Sequence, residues 1–369
     1  MPDRHLTGRA GPRPGRRAAL AAAALAVAGA VGLGAALAAR DEPGQGFPSA
    51  AARPAGPTGD DPAGPATAGA DCPAGGPRTV TVGSARELQR ALDRAVRGQR
   101  IRLRDGVYRG EFVVRRSGTA GQPITLCGSR RAVLRGRGVR RGYVLHLEGA
   151  RHWTLSGFTV TNGEKGVMAD RAAHDVLQGL AVHHVGHEAI HLRAFSSDNL
   201  IRGNLVHHTG LRRAEFGEGV YVGSAQGNWC RHSGCRPDRS DRNRILGNRI
   251  GPDVTAESVD LKEGTSGGLV AGNTFLGGEM TGADSWVDVK GNAWRVQGNR
   301  GRLTPRDGFQ VHVEAPGWGR GNLVAGNLAQ LGPDGEYGVR VDGDALGTVV
   351  GCDNRVSGAA RGLSNIRCR

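Results

Sequence analysis

The chain has 369 residues, enough for one large domain with an N-terminal extension or for an array of repeats. Glycine is abundant at 62 residues and aromatic residues make up only 4%, which argues against a helical bundle and favours short strands joined by tight turns. The formal net charge of +15 favours an acidic partner, but no motif indicates nucleic-acid binding.

The N-terminus has the features of a bacterial export signal. An uncharged run over residues 18–39 follows several arginines and ends in the small-x-small pattern that signal peptidase accepts, at residues 36–38. The Arg16-Arg17 pair resembles a twin-arginine signal. The run is also long enough to stay in the membrane as an anchor. We therefore expect residues 1–40 to be an export signal or anchor, with the rest of the chain secreted or held outside the plasma membrane.

The six cysteines, an even number, agree with an oxidising compartment. Their spacing does not indicate a zinc site, since it contains no Cys-x-x-Cys pair. Proximity along the chain favours three disulfides: Cys230–Cys235, Cys352–Cys368 and Cys72–Cys127.

Residues 41–77 are rich in Pro, Ala and Gly without apolar periodicity, which is typical of a flexible linker. Order is predicted to begin with a short strand at residues 79–82. Ser84 and Glu87 then form a capping box, which marks the start of a helix. We expect residues 78–369 to be one ordered domain.

From about residue 130 onward, an asparagine that usually follows glycine closes each of a series of similar segments. The spacings between consecutive asparagines are 44, 25, 26, 28 and 27 residues, and repeats of this length indicate a solenoid. Strands alternate with Gly-rich bends and no helix intervenes, so the pattern predicts an all-β parallel β-helix in which asparagine side chains bond to the turns. The asparagines are Asn204, Asn248, Asn273, Asn299, Asn327 and Asn354.

One strand of each repeat alternates between apolar and polar residues, so its side chains divide between the core and an outer face. Because stacked strands lie about 4.8 Å apart, the outer positions are predicted to form a continuous polar stripe suited to an extended polymer. The predicted core positions are Val220, Val222, Val259, Leu261, Val287, Val289, Phe309, Val311, Val339 and Val341. The predicted stripe contains His191, Arg193, Tyr221, Asp260, Lys262, Trp286, Asp288, Lys290, Gln310, His312, Arg340 and Asp342.

Lysine is rare in this arginine-rich chain, with only Lys165, Lys262 and Lys290 among 49 cationic residues. Two of the three recur in an Asp-x-Lys pattern on successive repeats. Two lysines on adjacent strands repel by roughly 3 kcal/mol at an effective dielectric near 20, which would lower a pKa by about two units. Neighbouring aspartates act in the opposite direction. The pattern is therefore either a proton-transfer site or a ladder of salt bridges.

Two segments near the N-terminus, residues 105–108 and 118–124, resemble secreted right-handed parallel β-helix proteins of the pectate-lyase-like superfamily. The resemblance covers residues 78–369 and implies a right-handed solenoid with a short N-terminal capping helix. Residues 257–262 are similar to the active strand of the chondroitinase B and alginate lyase family. In that family a Glu five residues before a Lys helps to hold calcium, and the Lys is the base. The resemblance thus implies a monomeric polysaccharide lyase that acts on an acidic, uronate-containing polysaccharide.

The same resemblance implies roles for individual residues. Lys262 would be the base and Glu257 a calcium ligand, with Asp260 and Glu218 as further ligands. Lys290 stands where that family has an arginine, so either Lys290 takes over the cationic role or the reaction is not conserved. Tyr221 or a histidine would protonate the leaving oxygen. The candidate substrate-binding residues are His191, Arg193, Trp286, Asp288, His312 and Arg340.

Two other functions fit the same stripe. A glycoside hydrolase could use Asp260 and Asp288, because carboxylates about 5 Å apart suit a retaining mechanism. A module without catalytic activity could bind glycan or cell wall, since one fold hosts many functions. We expect a lyase, with membrane contact only if the N-terminal segment is uncleaved.

Overall fold

The computed structural model describes Cys72 and residues 78–369. The predicted export signal and all of the predicted linker except Cys72 lie outside the described residues. Within the described part of the chain, none of the helices has the length and apolar character needed to cross a membrane.

Thirty-one strands, numbered β1 to β31 along the chain, form three sheets. After β1, each turn of the chain adds one strand to sheet 1, then one to sheet 2, then one to sheet 3, and neighbouring strands in each sheet run parallel. Ten such turns stack into a right-handed parallel β-helix, which confirms the predicted fold.

Sheet 1 contains β1 (Thr79–Val82), β2 (Arg100–Leu103), β5 (Ile124–Cys127), β8 (Trp153–Ser156), β11 (Val176–Gln178), β14 (Leu200–Arg202), β17 (Arg244–Leu246), β20 (Leu269–Ala271), β23 (Arg295–Gln297), β26 (Leu323–Ala325) and β29 (Val349–Val350). Sheet 2 contains β3 (Gly106–Arg109), β6 (Ala132–Arg135), β9 (Thr159–Thr161), β12 (Ala181–His183), β15 (Leu205–His207), β18 (Arg249–Ile250), β21 (Thr274–Leu276), β24 (Arg300–Arg302), β27 (Leu328–Gln330) and β30 (Arg355–Ser357). Sheet 3 contains β4 (Phe112–Val114), β7 (Tyr143–Glu148), β10 (Lys165–Asp170), β13 (Ile190–Arg193), β16 (Val220–Val222), β19 (Val259–Leu261), β22 (Ser285–Val289), β25 (Asp307–Val311), β28 (Tyr337–Val341) and β31 (Gly362–Ser364).

Helix α1 (Ala85–Asp93) packs against the first turn of the solenoid. Its start is set by Ser84, whose hydroxyl accepts a hydrogen bond from the backbone N–H of Glu87. Leu88 and Leu92 are fully buried on the face turned toward the strands. The other helical segments are short: two 3₁₀ turns (Ala214–Phe216 and Gln226–Asn228) and α2 (Trp229–His232).

The core lies between the three sheets. Every residue predicted to point inward on sheet 3, from Val220 to Val341, is buried. Burial of such aliphatic side chains contributes roughly 1.5–3 kcal/mol each. Because side chains alternate along a strand, burying these residues also determines which residues of the strand face outward.

The asparagines form a hydrogen-bonded stack at one bend of each turn, as predicted. The backbone N–H and the side-chain amide of Asn248 both donate to Oδ1 of Asn273, at 2.8 and 2.9 Å. The Asn273 amide in turn donates to the carbonyl of Ile245, at 2.8 Å. Each side chain satisfies buried backbone groups of the turn before it, so these residues are structural.

All three disulfides join the predicted partners: Cys72–Cys127, Cys230–Cys235 and Cys352–Cys368.

Candidate active site

The polar stripe lies on sheet 3, because parallel strands in register place equivalent residues side by side. His191 on β13 pairs with Tyr221 on β16, and Tyr221 pairs with Asp260 on β19. Asp260 pairs with Asp288 on β22, and Gln310 follows on β25. The sequence period of two predicts this row.

The two Asp-x-Lys segments form one continuous network. Lys290 Nζ lies 3.0 Å from Asp260 Oδ1 and 3.0 Å from Asp288 Oδ2, so this lysine bridges two turns. Lys262 Nζ lies 2.7 Å from the other oxygen, Asp260 Oδ2. The Ser285 hydroxyl donates to Asp288 Oδ1 at 2.6 Å. Asp260 is therefore shared by both lysines.

The two lysines differ in their surroundings. Burial alone would lower the pKa of Lys290, but Asp260, Asp288 and Glu257 outweigh burial and raise that pKa well above its usual value. Lys290 is thus held in its charged form. Of the two opposing effects that the sequence left open, the attraction of the aspartates prevails at this residue. Lys262 has one carboxylate partner and is twice as exposed, with 16% of its side chain accessible against 8% for Lys290.

Tyr221 lies next to Lys262 in the stripe. The Lys262 ammonium is 5.2 Å from the centre of the Tyr221 ring, and the edge of the His191 ring contacts the same phenol at 4.4 Å between centroids. Burial and the charge of Asp260 raise the pKa of Tyr221 well above its usual value. The phenol is therefore protonated at rest and can act as a proton donor.

His191 is buried, which corrects its prediction as a residue that contacts substrate. Its Nε2 lies 3.0 Å from the carbonyl oxygen of Gly223, and its Nδ1 lies 3.2 Å from Glu188 Oε1 and 3.4 Å from Lys165 Nζ. Because both ring nitrogens bond within the protein, the side chain positions the Tyr221 ring.

Sequence reasoning missed Glu188 and Lys165, which support His191. A signal was present, because Glu188 stands three residues before His191 just as Glu218 and Glu257 stand three residues before Tyr221 and Asp260. A glutamate therefore recurs three residues before the stripe residue of each of these turns. Glu188, Glu218 and Glu257 form a second row, which is acidic, beside the stripe.

The predicted metal ligands come together where this row meets the stripe, with Glu218 and Glu257 from the row and Asp260 from the stripe. One carboxylate oxygen from each lies within 4.8 Å of the others. Glu218 Oε2 is buried and has no hydrogen-bond partner among the described residues. Burial and the neighbouring carboxylates raise the pKa of Glu218 well above its usual value and that of Glu257 to about 8. A cluster of this kind holds protons or a cation, and its oxygen donors are those that calcium prefers.

Trp286 lies in the core, which corrects its prediction as a residue of the stripe. Its side chain is fully buried, and its indole N–H donates to the carbonyl of Leu303 at 2.6 Å. The ring fills space left by the absent side chain of Gly301, where a Cβ atom would lie 2.3 Å from the indole. An edge contact with Phe309, at 5.8 Å between centroids, completes the packing.

Cations lie on both sides of the network. On one side, Arg193 Nε lies 2.7 Å from Asp170 Oδ1. On the other, His312 lies between Asp288 and Asp342, at 3.6 and 3.3 Å. Arg340 lies one turn further along, and 36% of its side chain is exposed.

The pKa of His312 gives a testable dependence of stability on pH. Burial alone would lower this pKa, but Asp288 and Asp342 outweigh burial and raise it to about 9. Because the unfolded value is 6.5, the stabilisation is complete below pH 6.5 and is lost as the pH rises through 9. It amounts to at most about 3 kcal/mol. Urea unfolding at pH 6 and pH 9.5 should show this loss in the wild type and a smaller one in His312→Gln. Equal losses in both proteins would contradict the prediction.

No protein-family model and no curated protein matches the chain. Among solved structures, an alginate lyase from Paenibacillus sp. str. FPU-7 is 37% identical with a TM-score of 0.73, over 78% of this chain and 98% of that one. The chain belongs to this polysaccharide lyase family, within the pectate-lyase-like superfamily.

Two more distant structures share the fold of this lyase. Pectate lyase Pel9A is 16% identical with a TM-score of 0.56, over 75% of this chain and 72% of that one. PfbA, a surface adhesin of Streptococcus pneumoniae, is 12% identical with a TM-score of 0.54, over 78% of this chain and 80% of that one. A lyase and an adhesin thus have the same architecture, so the reaction has to be argued from the side chains.

Proposed function

We propose that this lyase cleaves an acidic, uronate-containing polysaccharide by β-elimination, with Lys262 as the base and Tyr221 as the acid. The observation that carries the proposal is the shared network in which Lys290 is a fixed cation, while Lys262 Nζ lies over the Tyr221 ring at 5.2 Å from its centre. β-Elimination needs a base, an acid and a positive charge that stabilises the developing anion.

The base, Lys262 with its amine unprotonated, abstracts the proton at C5 of the uronate. Lys290 is unsuited to this step because two carboxylates hold its proton. Lys262 contacts one carboxylate and has the more exposed side chain, which supports it as the lysine that abstracts the proton. The electrons of the C5–H bond form the C4–C5 double bond as the bond from C4 to the glycosidic oxygen breaks.

The leaving oxygen takes the hydroxyl proton of Tyr221. The adjacent ammonium of Lys262, which has just gained the C5 proton, stabilises the resulting phenolate and returns a proton to it. The pair thereby regains its starting state with no net change in protons. The raised pKa of Tyr221 supports this direction of transfer, since the phenol is protonated before the reaction.

The negative charge of the carbanion spreads into the uronate carboxylate, and Lys290 is the cation beside it. Two groups help Lys290 to stay charged, Asp260 on one side and Asp288 on the other. The cations of the stripe on either side of the network, Arg193 and Arg340, favour an acidic polymer over a neutral one. The relative from Paenibacillus carries alginate, a polyuronate, in its name, which supports the same substrate class.

Calcium is the cofactor that the acidic row would take. Glu218, Glu257 and Asp260 offer converging carboxylate oxygens, although both oxygens of Asp260 also bind a lysine. When bound there, calcium would neutralise the uronate carboxylate and acidify the adjacent C–H.

The hydrolase alternative is weaker on the same geometry. A retaining hydrolase needs one carboxyl group that is protonated before the reaction. Lys290, His312 and Ser285 outweigh the effect of burial and hold the pKa of Asp288 well below its usual range. Asp288 is therefore unsuited to be that acid, and both oxygens of Asp260 are already in contact with lysine side chains.

We also propose that the lyase is exported and acts outside the cytoplasm as a monomer. The three disulfides support export, because such bonds persist in oxidising compartments.

The function is tested with the purified chain and a panel of polymannuronate, polyguluronate, polygalacturonate and chondroitin, each with added calcium or with a chelator. We expect at least one polymer to give the ultraviolet absorbance of a C4–C5 double bond. New reducing ends without absorbance would establish a hydrolase, and retention on the polymer without any product would establish a binding module. Either result would overturn the proposal.

A further inference from the structure

Four histidines lie together on sheet 2, away from the polar stripe on sheet 3. Strands β12 and β15 end at His183 and His207, which are neighbours in register. Each is followed by a second histidine, His184 and His208, and both of these have a φ of 52°. Successive side chains of a regular strand point to opposite faces, but a left-handed residue turns the chain so that both side chains of a pair meet.

The four rings stack between the two turns. His183 stacks on His207 at 4.7 Å between centroids, and His184 stacks on His208 at 4.4 Å. The Nδ1 atoms of consecutive histidines lie 2.8 Å apart, both between His183 and His184 and between His207 and His208. One ring nitrogen each from His184, His207 and His208 lies within 4.8 Å of the other two.

A carboxylate orients one of these rings. Asp253 Oδ2 lies 3.2 Å from Nε2 of His208, so Nε2 carries a proton and donates it. The Nδ1 lone pair of His208 is thereby left facing His207. A carboxylate that holds the far nitrogen of an imidazole is the usual second partner of a metal-binding histidine.

We propose that His184, His207 and His208 bind a first-row transition metal ion such as Zn²⁺ or Cu²⁺, with Asp253 orienting His208. Imidazole nitrogen suits zinc, copper and nickel, whereas the oxygen-only row beside Tyr221 suits calcium. The ion joins two successive turns of the solenoid, because His184 follows β12 while His207 and His208 belong to the next turn. This site is separate from the chemistry of the stripe, and its metal has a structural role.

Backbone requirements do not account for the cluster. Thr161 is the register neighbour of His183, so Asn162 stands in the preceding turn where His184 stands in this one. Asn162 has a φ of 60°, which shows that an asparagine meets the same conformational need. A second stacked pair, His152 and His174, also has left-handed backbone and a ring separation of 4.9 Å. That pair belongs to none of the groups of three ligands found among the described residues, which makes it a matched control.

The test uses the full chain, purified without a polyhistidine tag and treated with a chelator. Isothermal titration with zinc chloride is expected to give one ion per chain. His184→Asn and His208→Asn, which keep a residue suited to the left-handed backbone, are each expected to weaken binding more than about 10-fold. Asp253→Asn is expected to weaken it by roughly 10–100-fold, the usual effect of losing such a partner. His174→Asn should bind as the wild type does.

A second measurement identifies the ligands directly. Cu²⁺ added to the wild type is expected to show nitrogen hyperfine coupling from imidazole in electron paramagnetic resonance, and His208→Asn should lose part of it. Thermal melting shows whether each variant is folded. Absence of zinc binding, or zinc binding that survives both His184→Asn and His208→Asn, would refute the site.

Discussion

Lys262→Met is expected to lower kcat by about 10³-fold, within the range of 10² to 10⁴ that a positioned general base contributes. Methionine keeps the length and apolar character of the lysine stem but cannot take a proton. Asp260 retains Lys290 as its partner, so the network loses one of the two amines at that carboxylate. The measurement is the initial rate of double-bond absorbance on the best substrate of the panel, with KM determined separately.

Tyr221→Phe should cause a loss of the same order, because only the proton donor is removed. If the two residues act as a pair, the double variant will be little worse than either single one, since groups that act as a unit are not additive. Arg300→Ala, on the exposed face of β24 in sheet 2, is the control and should keep full activity. A Lys262→Met protein with wild-type kcat would eliminate this lysine as the base.

The fold of this chain follows from simple periodicities. The asparagine spacing fixes the length of one turn, and the alternation on each sheet 3 strand separates core from stripe. Both patterns survive in the structure because each is enforced many times over: Asn248 bonds to Asn273, Val259 pairs with Val287, and the next turn repeats the arrangement. A register shift in one turn would expose its apolar residues, so pairing with the neighbouring turns stabilises the correct register.

The errors at the site have a common cause. The alternation of its strand predicts that Trp286 faces outward. Its indole lies in the core instead, because Gly301 on the facing sheet leaves room for the ring. His191 also has the expected register, but Glu188 and Lys165 from outside the alternating segment cover it. The burial of Trp286 and of His191 thus depends on residues outside their own strands. The alternation of side chains within one strand gives no information about those residues.

The sharing of Asp260 could not be predicted either. Sequence spacing pairs each aspartate with the lysine two residues later. In the folded chain Lys290 reaches back to the preceding turn as well, because strands in register are closer than the length of a lysine side chain. This sharing makes the two lysines chemically unequal.

The difference in surroundings between Lys290 and Lys262 predicts that the loss of Lys290 has the larger effect on the stability of the fold. Lys290→Met is expected to lower the free energy of unfolding by about 3 kcal/mol, at the lower end of the cost of removing one partner from a buried ion pair. Asp288 is 6% exposed and would keep only Ser285 and His312 as partners. Urea unfolding at pH 7, followed by circular dichroism, measures the change.

Lys262→Met serves as the matched control, because it removes an ammonium group from the same network at a more exposed position. Its cost should be smaller than that of Lys290→Met, since Asp260 keeps Lys290. Adding Asp288→Asn to Lys290→Met should restore part of the lost stability, because the aspartate charge left without its lysine is then removed. If Lys290→Met and Lys262→Met cost the same, the two lysines are equivalent members of a surface ladder. The structure would then give no reason to assign the cationic role in the reaction to Lys290 rather than to Lys262.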